Sequence, residues 1–298
     1  GLALSVTAMG TIMAATTGIV GASVVMLTLI ALPVMMQRGY QKELAVGTIA
    51  SAGTLGILIP PSIMLVVMGD LLQVSVGALF AAALLPGLLL SVLYLVYIGV
   101  VSRLKPALAP ALPVELGPRS RREFFMLVGR GFIPPLLLIA LVLGSIYGGW
   151  ATPTEAAGTG AAGALLLAMV RGKLDRTTLR EVIEQSGLTN AMVFFLFFGA
   201  TMFSYVFRSL GGDDVVKDLL AAVGIDTAWE ILIFLQILVF LLGFFFDWIE
   251  ISLIVLPIFA PILAGLDFSA HIGSGPGIVF LTWFTILLAV NLQTSFLT

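Results

Sequence analysis

No cysteine occurs in the 298 residues, which excludes disulfides, thiolate metal sites and a cysteine nucleophile. A single histidine, His271, is too few for a histidine-based metal site. Charge is just as scarce. Only 10% of residues are charged against 60% hydrophobic, and the mean hydropathy is +1.15, a balance that no soluble domain carries on its surface. The net charge of −2 singles out no class of partner, and nucleic acid is not expected among them. What remains is an all-α polytopic membrane protein, with room for roughly eight to ten membrane-crossing or membrane-dipping segments of about 20 residues each. The chain starts at Gly1 without a methionine and stops at Thr298 inside an apolar run, so it is read as a fragment of a longer protein.

Apolar blocks run over about 1–36, 44–72, 77–101, 131–150, 152–170, 186–207, 229–246, 249–265 and 277–298. The longest polar break, 102–130, holds Arg103, Lys105, Arg119, Arg121, Arg122 and Arg130 and reads as a basic linker between two halves. A second break, RGKLDRTTLREVIEQSG from Arg171, reads as a short amphipathic surface helix with Thr178 as its cap ahead of Glu181. If the first block dips into the membrane and returns, Arg38–Lys42, 102–130 and Arg171–Arg180 share one face, which then holds twelve of the fourteen basic residues. Only Arg208 and Lys217 are left for the other face, so the first face is cytoplasmic.

The first block must dip. As one helix its 36 residues would reach about 54 Å, against a hydrocarbon core of about 30 Å. It is interrupted by TTGIVGAS, where Thr16, Thr17, Gly18, Gly21 and Ser23 join two half-helices. Irregular backbone at membrane depth is tolerated only where protein or a wet cavity surrounds it, so a re-entrant hairpin with a polar tip near the midplane is expected. The next block carries GTLGILIPPS, in which Gly53 and Gly56 flank a bend and Pro60 and Pro61 supply no amide donors. Carbonyls freed there are ligands for a cation such as sodium. The tip and the bend, with Thr17, Gly18, Gly21, Ser23, Gly53, Thr54 and Gly56, are the expected first sodium site.

The second half rebuilds the same order of parts. ILIFLQILVFLLGFFF and ISLIVLPIFAPILAG flank a polar tip, Asp247, Trp248, Ile249 and Glu250. An apolar segment then ends NLQTSFLT, placing Asn291, Gln293, Thr294, Ser295 and Thr298 in hydrophobic surroundings. Its frame resembles GTLGILIP, with Leu55 against Leu292 or Ser295 according to the gap. Carboxylates at such a tip are costly unless used, so Asp247 with Asn291, Gln293 and Thr294 is the expected second cation site. An organic anion is expected between the two sites, opposite inward-pointing half-helix amino ends. The expected organisation is a first inverted repeat over 1–101, with a re-entrant hairpin (1–36), a broken helix (44–72) and a span (77–101). The linker (102–130), then scaffold spans and the surface helix (131–185), follow. The second repeat (186–298) holds a span, an interfacial helix, a re-entrant hairpin (229–265) and a broken helix (277–298).

TTGIVGAS, GTLGILIPPS, ATPTEAAGTGAAGALLLA from Ala151 and NLQTSFLT, in this order, resemble the large membrane subunit of the tripartite ATP-independent periplasmic (TRAP) transporters. The resemblance implies a member of the ion transporter superfamily in the bacterial inner membrane, an elevator mechanism and sodium as the coupling ion, with no cofactor. It also implies a small membrane partner subunit and a periplasmic substrate-binding protein. Details near His271 and the NLQTSFLT ending are similar to the mannitol or chloroaromatic group, with small organic acids such as 2-oxo acids or lactate as the expected cargo. The first scaffold spans of the family are missing, and the chain stops where the family continues with a proline pair and glycine, so the second site is expected to be incomplete.

Other patterns weigh less. Gly158, Gly160 and Gly163 spell GxGxxG, yet no strand precedes them and small residues in an apolar helix serve packing. In GGDD, Asp213 or Asp214 reads as a helix cap. Glu155 after Thr152 and Pro153 reads as first-turn chemistry. His271 reads as a solvated loop residue. The alternatives are a sodium-coupled carboxylate carrier without a binding protein, or a membrane enzyme using Asp247 and Glu250 as acid and base, for which no nucleophile, metal set or cofactor motif is present.

Overall fold

The computed structural model describes residues 1–18, 20–110, 120–268, 271 and 277–296. Among them the regular elements are all helices: α1 (Leu2–Thr17), α2 (Val20–Gln37), α3 (Lys42–Thr54), α4 (Ile63–Leu72), α5 (Val76–Leu104), α6 (Arg121–Tyr147), α7 (Pro153–Val170), α8 (Arg176–Ser209), α9 (Gly212–Ala222), α10 (Ala228–Leu242), α11 (Trp248–Ala264) and α12 (Gly277–Leu292). Four of them, α2, α5, α6 and α8, are long and apolar enough to cross a membrane. The protein is an all-α polytopic membrane protein. It divides into two compact units, 1–65 with 80–170 and 66–79 with 171–296.

In the first unit α1 stops where glycine permits a left-handed residue. Gly18 has φ 61° and its N–H donates to the Ala14 carbonyl at 3.0 Å. The core that α1, α2 and α3 share contains Leu27, Met35, Ala45, Ile49 and Ala52, all at most 2% exposed. Small residues set the spacing: a Cβ on Gly10 would stand 2.6 Å from the Ala52 Cβ. Without a hydrophobic drive between helices in lipid, such close backbone approach is what binds them. A hydroxyl pair ties α1 to α5, with Thr11 Oγ1 and Ser91 Oγ 2.9 Å apart.

α3 tightens into a 3-10 turn, Leu55–Ile57, before the proline pair. Pro61 has no N–H to offer the Ile57 carbonyl four residues back, and the Ser62 hydroxyl donates to that carbonyl instead. The same Ser62 oxygen accepts from the Leu65 N–H at 3.4 Å and so starts α4. One of the freed carbonyls expected as a cation ligand is therefore already engaged.

α6 and α7 form a packed pair. Ser120 caps α6 by accepting from the Glu123 N–H at 3.1 Å. Thr152 and Glu155 close a reciprocal box at the start of α7, the Glu155 carboxylate accepting from the Thr152 N–H at 2.8 Å. Cβ atoms on Gly160 and Gly163 would stand 2.8 Å from Val142 and 2.6 Å from Leu138 of α6, whereas Gly158 faces open space. Two of the three glycines in the GxGxxG pattern are thus a helix-packing surface.

Four sequence readings need correction. The linker read as 102–130 is shorter, because α5 runs to Leu104 and α6 already begins at Arg121, so Arg121, Arg122 and Arg130 are helical. The separate surface helix is the first part of α8, since no proline or left-handed glycine ends it before Ser209. Its cap is Asp175, not Thr178: Asp175 Oδ1 accepts from the Thr178 N–H at 2.6 Å. That bond holds the Asp175 carboxyl below its ordinary range. Lastly, α9 is capped by Gly211 at φ 76°, and Asp213 and Asp214 lie in its first turn, favourable at a positive dipole end but not as caps.

In the second unit α10 opens with a capping box of Thr227 and Glu230. At its mouth the rings of Trp229, Phe268, Phe280 and Trp283 cluster, and the exposed His271 stands edge-on to Trp229 at 4.9 Å. α11 contains Pro257 and Pro261. Pro261 cannot serve the Pro257 carbonyl, and Arg208 Nη2 from the end of α8 donates to it. Arg208 Nε also stands 3.7 Å from Asp213 Oδ2, a half-exposed pair of small worth. Replacing Arg208 by methionine is expected to cost about 1–2 kcal/mol by orphaning that carbonyl. Thermal unfolding in detergent with amide exchange across Pro257–Ala264 checks this, and unchanged values would mean that solvent serves the carbonyl.

Candidate functional site

Each unit gathers its own set of the residues singled out in the sequence. In the first unit the break between α1 and α2 lies against the end of α3 and the start of α4. A Cβ on Gly56 would meet the Ala14 carbonyl oxygen at 2.6 Å, one on Gly53 the Val24 Cγ2 at 2.5 Å and backbone N at 3.1 Å, and one on Gly18 the Ile63 Cγ1 at 3.4 Å. The tip and the bend are thus in direct contact. The geometry also says what these glycines do: Gly53 and Gly56 admit neighbouring backbone.

The hydroxyls there differ in setting. Ser23 and Thr54 are both fully buried, and Thr54 Oγ1 donates to the Ser51 carbonyl at 3.0 Å. Thr17 is the last residue of α1, and its side chain lies outside the described residues. Gly21 is exposed, and a Cβ there would meet nothing within 4 Å, so it is set apart from the others.

In the second unit the tip carboxylate has a backbone task. Asp247 is the N-cap of α11, its Oδ1 accepting from the Trp248 N–H at 2.6 Å. Glu250 follows in the first turn, with Oε2 buried and no hydrogen-bond partner, and the fully buried Ser252 hydroxyl on the same helix has none either. Buried oxygen acceptors without partners suit a hard cation or a proton.

The end of α12 is tied to α10. Asn291 Nδ2 donates both to the Gln236 carbonyl and to Gln236 Oε1, each at 2.7 Å, and Thr294 Oγ1 donates to the Asn291 carbonyl at 2.7 Å. Gln293 is 2% exposed. Gln236 did not figure among the sequence candidates. Its signal was there as the sole amide in ILIFLQILVFLL. α12 finishes in a 3-10 turn, Gln293–Phe296, just as α3 finishes in Leu55–Ile57. By helix ends Leu55 thus corresponds to Gln293, which neither sequence alignment offered; Thr298, with the side chain of Ser295, lies outside the described residues.

Among the described residues no group of three or more His, Asp or Glu stands where it could hold a metal ion. The donors are hydroxyls, amides, backbone carbonyls and isolated carboxylates, a set suited to a weakly held hard cation rather than to a transition metal.

The chain matches the family described as "Tripartite ATP-independent periplasmic transporter, DctM component" over residues 1–298. It is 32% identical over 300 residues to the C4-dicarboxylate TRAP transporter large permease protein DctM of Pseudomonas aeruginosa, covering 100% of this chain and 66% of that protein. It is 31% identical to the ectoine/5-hydroxyectoine TRAP transporter large permease protein UehC of Ruegeria pomeroyi, covering 90% of this chain and 61% of that protein. The isethionate TRAP transporter permease protein DctMQ of Oleidesulfovibrio alaskensis is 29% identical, with 100% and 44% covered. The chain therefore spans 44 to 66% of the length of these relatives. It is a multi-pass protein of the bacterial inner membrane and a transporter component, not an enzyme. Matched along its whole length, this chain belongs to the DctM-component family of the tripartite ATP-independent periplasmic transporters.

Proposed function

We propose that this chain forms the ion- and substrate-handling part of the large transmembrane subunit of a sodium-coupled secondary transporter that imports small organic acids by an elevator motion. The observation that carries the reading is the repeated order of parts. Each half presents a helix, a break and a helix, followed by a helix ending in a 3-10 turn: α1, α2 and α3 in one, α10, α11 and α12 in the other. We read the two sets as inverted repeats, with α1–α2 and α10–α11 as re-entrant hairpins.

The chemistry follows from the breaks. A helix interrupted at membrane depth leaves carbonyls without amide partners, and these with the Ser23 and Thr54 hydroxyl oxygens ligate one sodium ion. The Ile57 carbonyl is withdrawn from that set by Ser62. In the other half Asp247 supplies the charge, and Asn291, Gln293 and Thr294 supply carbonyl and side-chain oxygens. The amino end of the second helix in each hairpin, α2 and α11, carries a positive partial charge. The partners of this reading are a small membrane subunit and a periplasmic substrate-binding protein.

Uptake into proteoliposomes tests it. Reconstituted with both partners, the full-length protein is expected to accumulate a labelled organic acid only with an inward sodium gradient and only with the binding protein present. Equal uptake when potassium replaces sodium would end the coupling claim. Equal uptake without the binding protein would favour an autonomous carboxylate carrier.

A further inference from the structure

At one end of the first unit a groove of about 350 Å³ separates the start of α3 from the last turns of α5. Its walls include Gly47, Thr48, Ser51, Tyr94, Tyr97 and Val101. The gap exists because Gly47 presents no side chain, and a Cβ there would meet nothing within 4 Å. The hydroxyl hydrogens on the α3 wall are already committed, Thr48 to the Leu44 carbonyl at 2.7 Å and Ser51 to the Gly47 carbonyl. The α5 wall is aromatic and aliphatic, while Gln41 and Glu43 line the groove at the amino end of α3. The groove also opens sideways, since Val96, Tyr97 and Val100 on α5 are 54%, 63% and 48% exposed, on a helix able to span the bilayer.

Charge marks one end. The Leu108 carbonyl accepts from the Gln41 N–H at 3.0 Å, which folds the turn after α5 back onto the start of α3. The turn is fixed by its own bonds, Lys105 N–H to the Val101 carbonyl at 2.8 Å and Leu108 N–H to the Lys105 carbonyl at 3.0 Å. Lys42 and Lys105 adjoin this junction in the chain, with Arg38 and Arg103 close by in sequence, and Glu43, which lines the groove, is the one carboxylate among them. The amino end of α3, 13 residues long, adds its positive dipole there.

We propose that this groove is a binding site for one anionic phospholipid, its acyl chain lying along Tyr94, Tyr97 and Val101 and its phosphate held by Lys42 and Lys105. Basic residues beside an apolar groove between helices are what such a lipid needs. The site is independent of the transport reading, because it uses none of the residues at the helix breaks.

Native mass spectrometry of the delipidated full-length protein in detergent tests it, with phosphatidylglycerol and phosphatidylcholine of identical acyl chains as probes. The unaltered protein is expected to retain phosphatidylglycerol about tenfold better, and Lys42→Gln with Lys105→Gln to abolish that preference. Gly47→Leu, whose Cβ would meet nothing within 4 Å and whose side chain occupies the groove, is expected to reduce retention of both lipids at this site while leaving the unfolding temperature unchanged. Equal retention of the two lipids by the unaltered protein would overturn the proposal. So would a preference that survives the double substitution or the filled groove.

Discussion

Gly56→Ala is expected to destabilise the protein by about 1–3 kcal/mol, the usual cost of forcing an atom into a packed interior. The new methyl would stand 2.6 Å from the Ala14 carbonyl oxygen and 3.0 Å from its carbon, and both are backbone atoms that cannot swing aside. Gly53→Leu is expected to be at least as damaging, because its Cβ alone would lie 2.5 Å from Val24 Cγ2 and 3.1 Å from Val24 N. A sodium activation curve of Gly53→Leu would therefore report misfolding before it reported a lost ligand. Gly21→Ala is the control: with nothing within 4 Å it is expected to leave the unfolding temperature unchanged. Thermal unfolding of the three variants in one detergent makes the comparison. If Gly56→Ala unfolds like the unaltered protein, then α1 and α3 are not in the contact described.

Asp247→Asn is expected to weaken apparent sodium affinity about tenfold or more and to reduce the cooperativity of transport with sodium, while stability barely changes. Asparagine caps a helix about as well as aspartate, so the bond to the Trp248 N–H survives and only the charge is removed. Asp247→Ala separates the roles, since it loses the cap as well and costs about 1 kcal/mol. By linkage the weakening must also appear as weaker substrate binding at fixed sodium. Equilibrium binding of substrate titrated with sodium, alongside transport, measures both. Wild-type affinity and cooperativity in Asp247→Asn would reduce this residue to a helix cap and leave the second half of the proposed scheme without its charge.

The places where helices stop were legible because glycine and proline act locally. Gly18 and the Pro60–Pro61 pair end helices for reasons written in single residues, and the element order of both halves could be read from such stops together with hydropathy. The start of α6 is written too, as Ser120 followed by Glu123, but it lies within a run of basic residues whose charge pattern matches a linker. α8 was divided for the same reason. Its polar first half contains no residue that breaks a helix, and Gly187 alone costs only about 1 kcal/mol. What no local rule could supply was pairing across distance. Gln236 and Asn291 lie 55 residues apart in the chain, and nothing in either segment names the other. Likewise Gly21 and Gly53 are the same letter, and only the atoms facing them separate an open position from a packed one.

The Arg208 contact with the Pro257 carbonyl carries a mechanical consequence. Two prolines four residues apart remove two successive rungs from α11, at the carbonyls of Leu253 and Pro257, and a helix so thinned resists flexing poorly there. The guanidinium replaces one rung from outside. Part of the stiffness of α11 at this point is therefore lent by α8, and a displacement that withdraws Arg208 softens the helix at the same moment that it frees it.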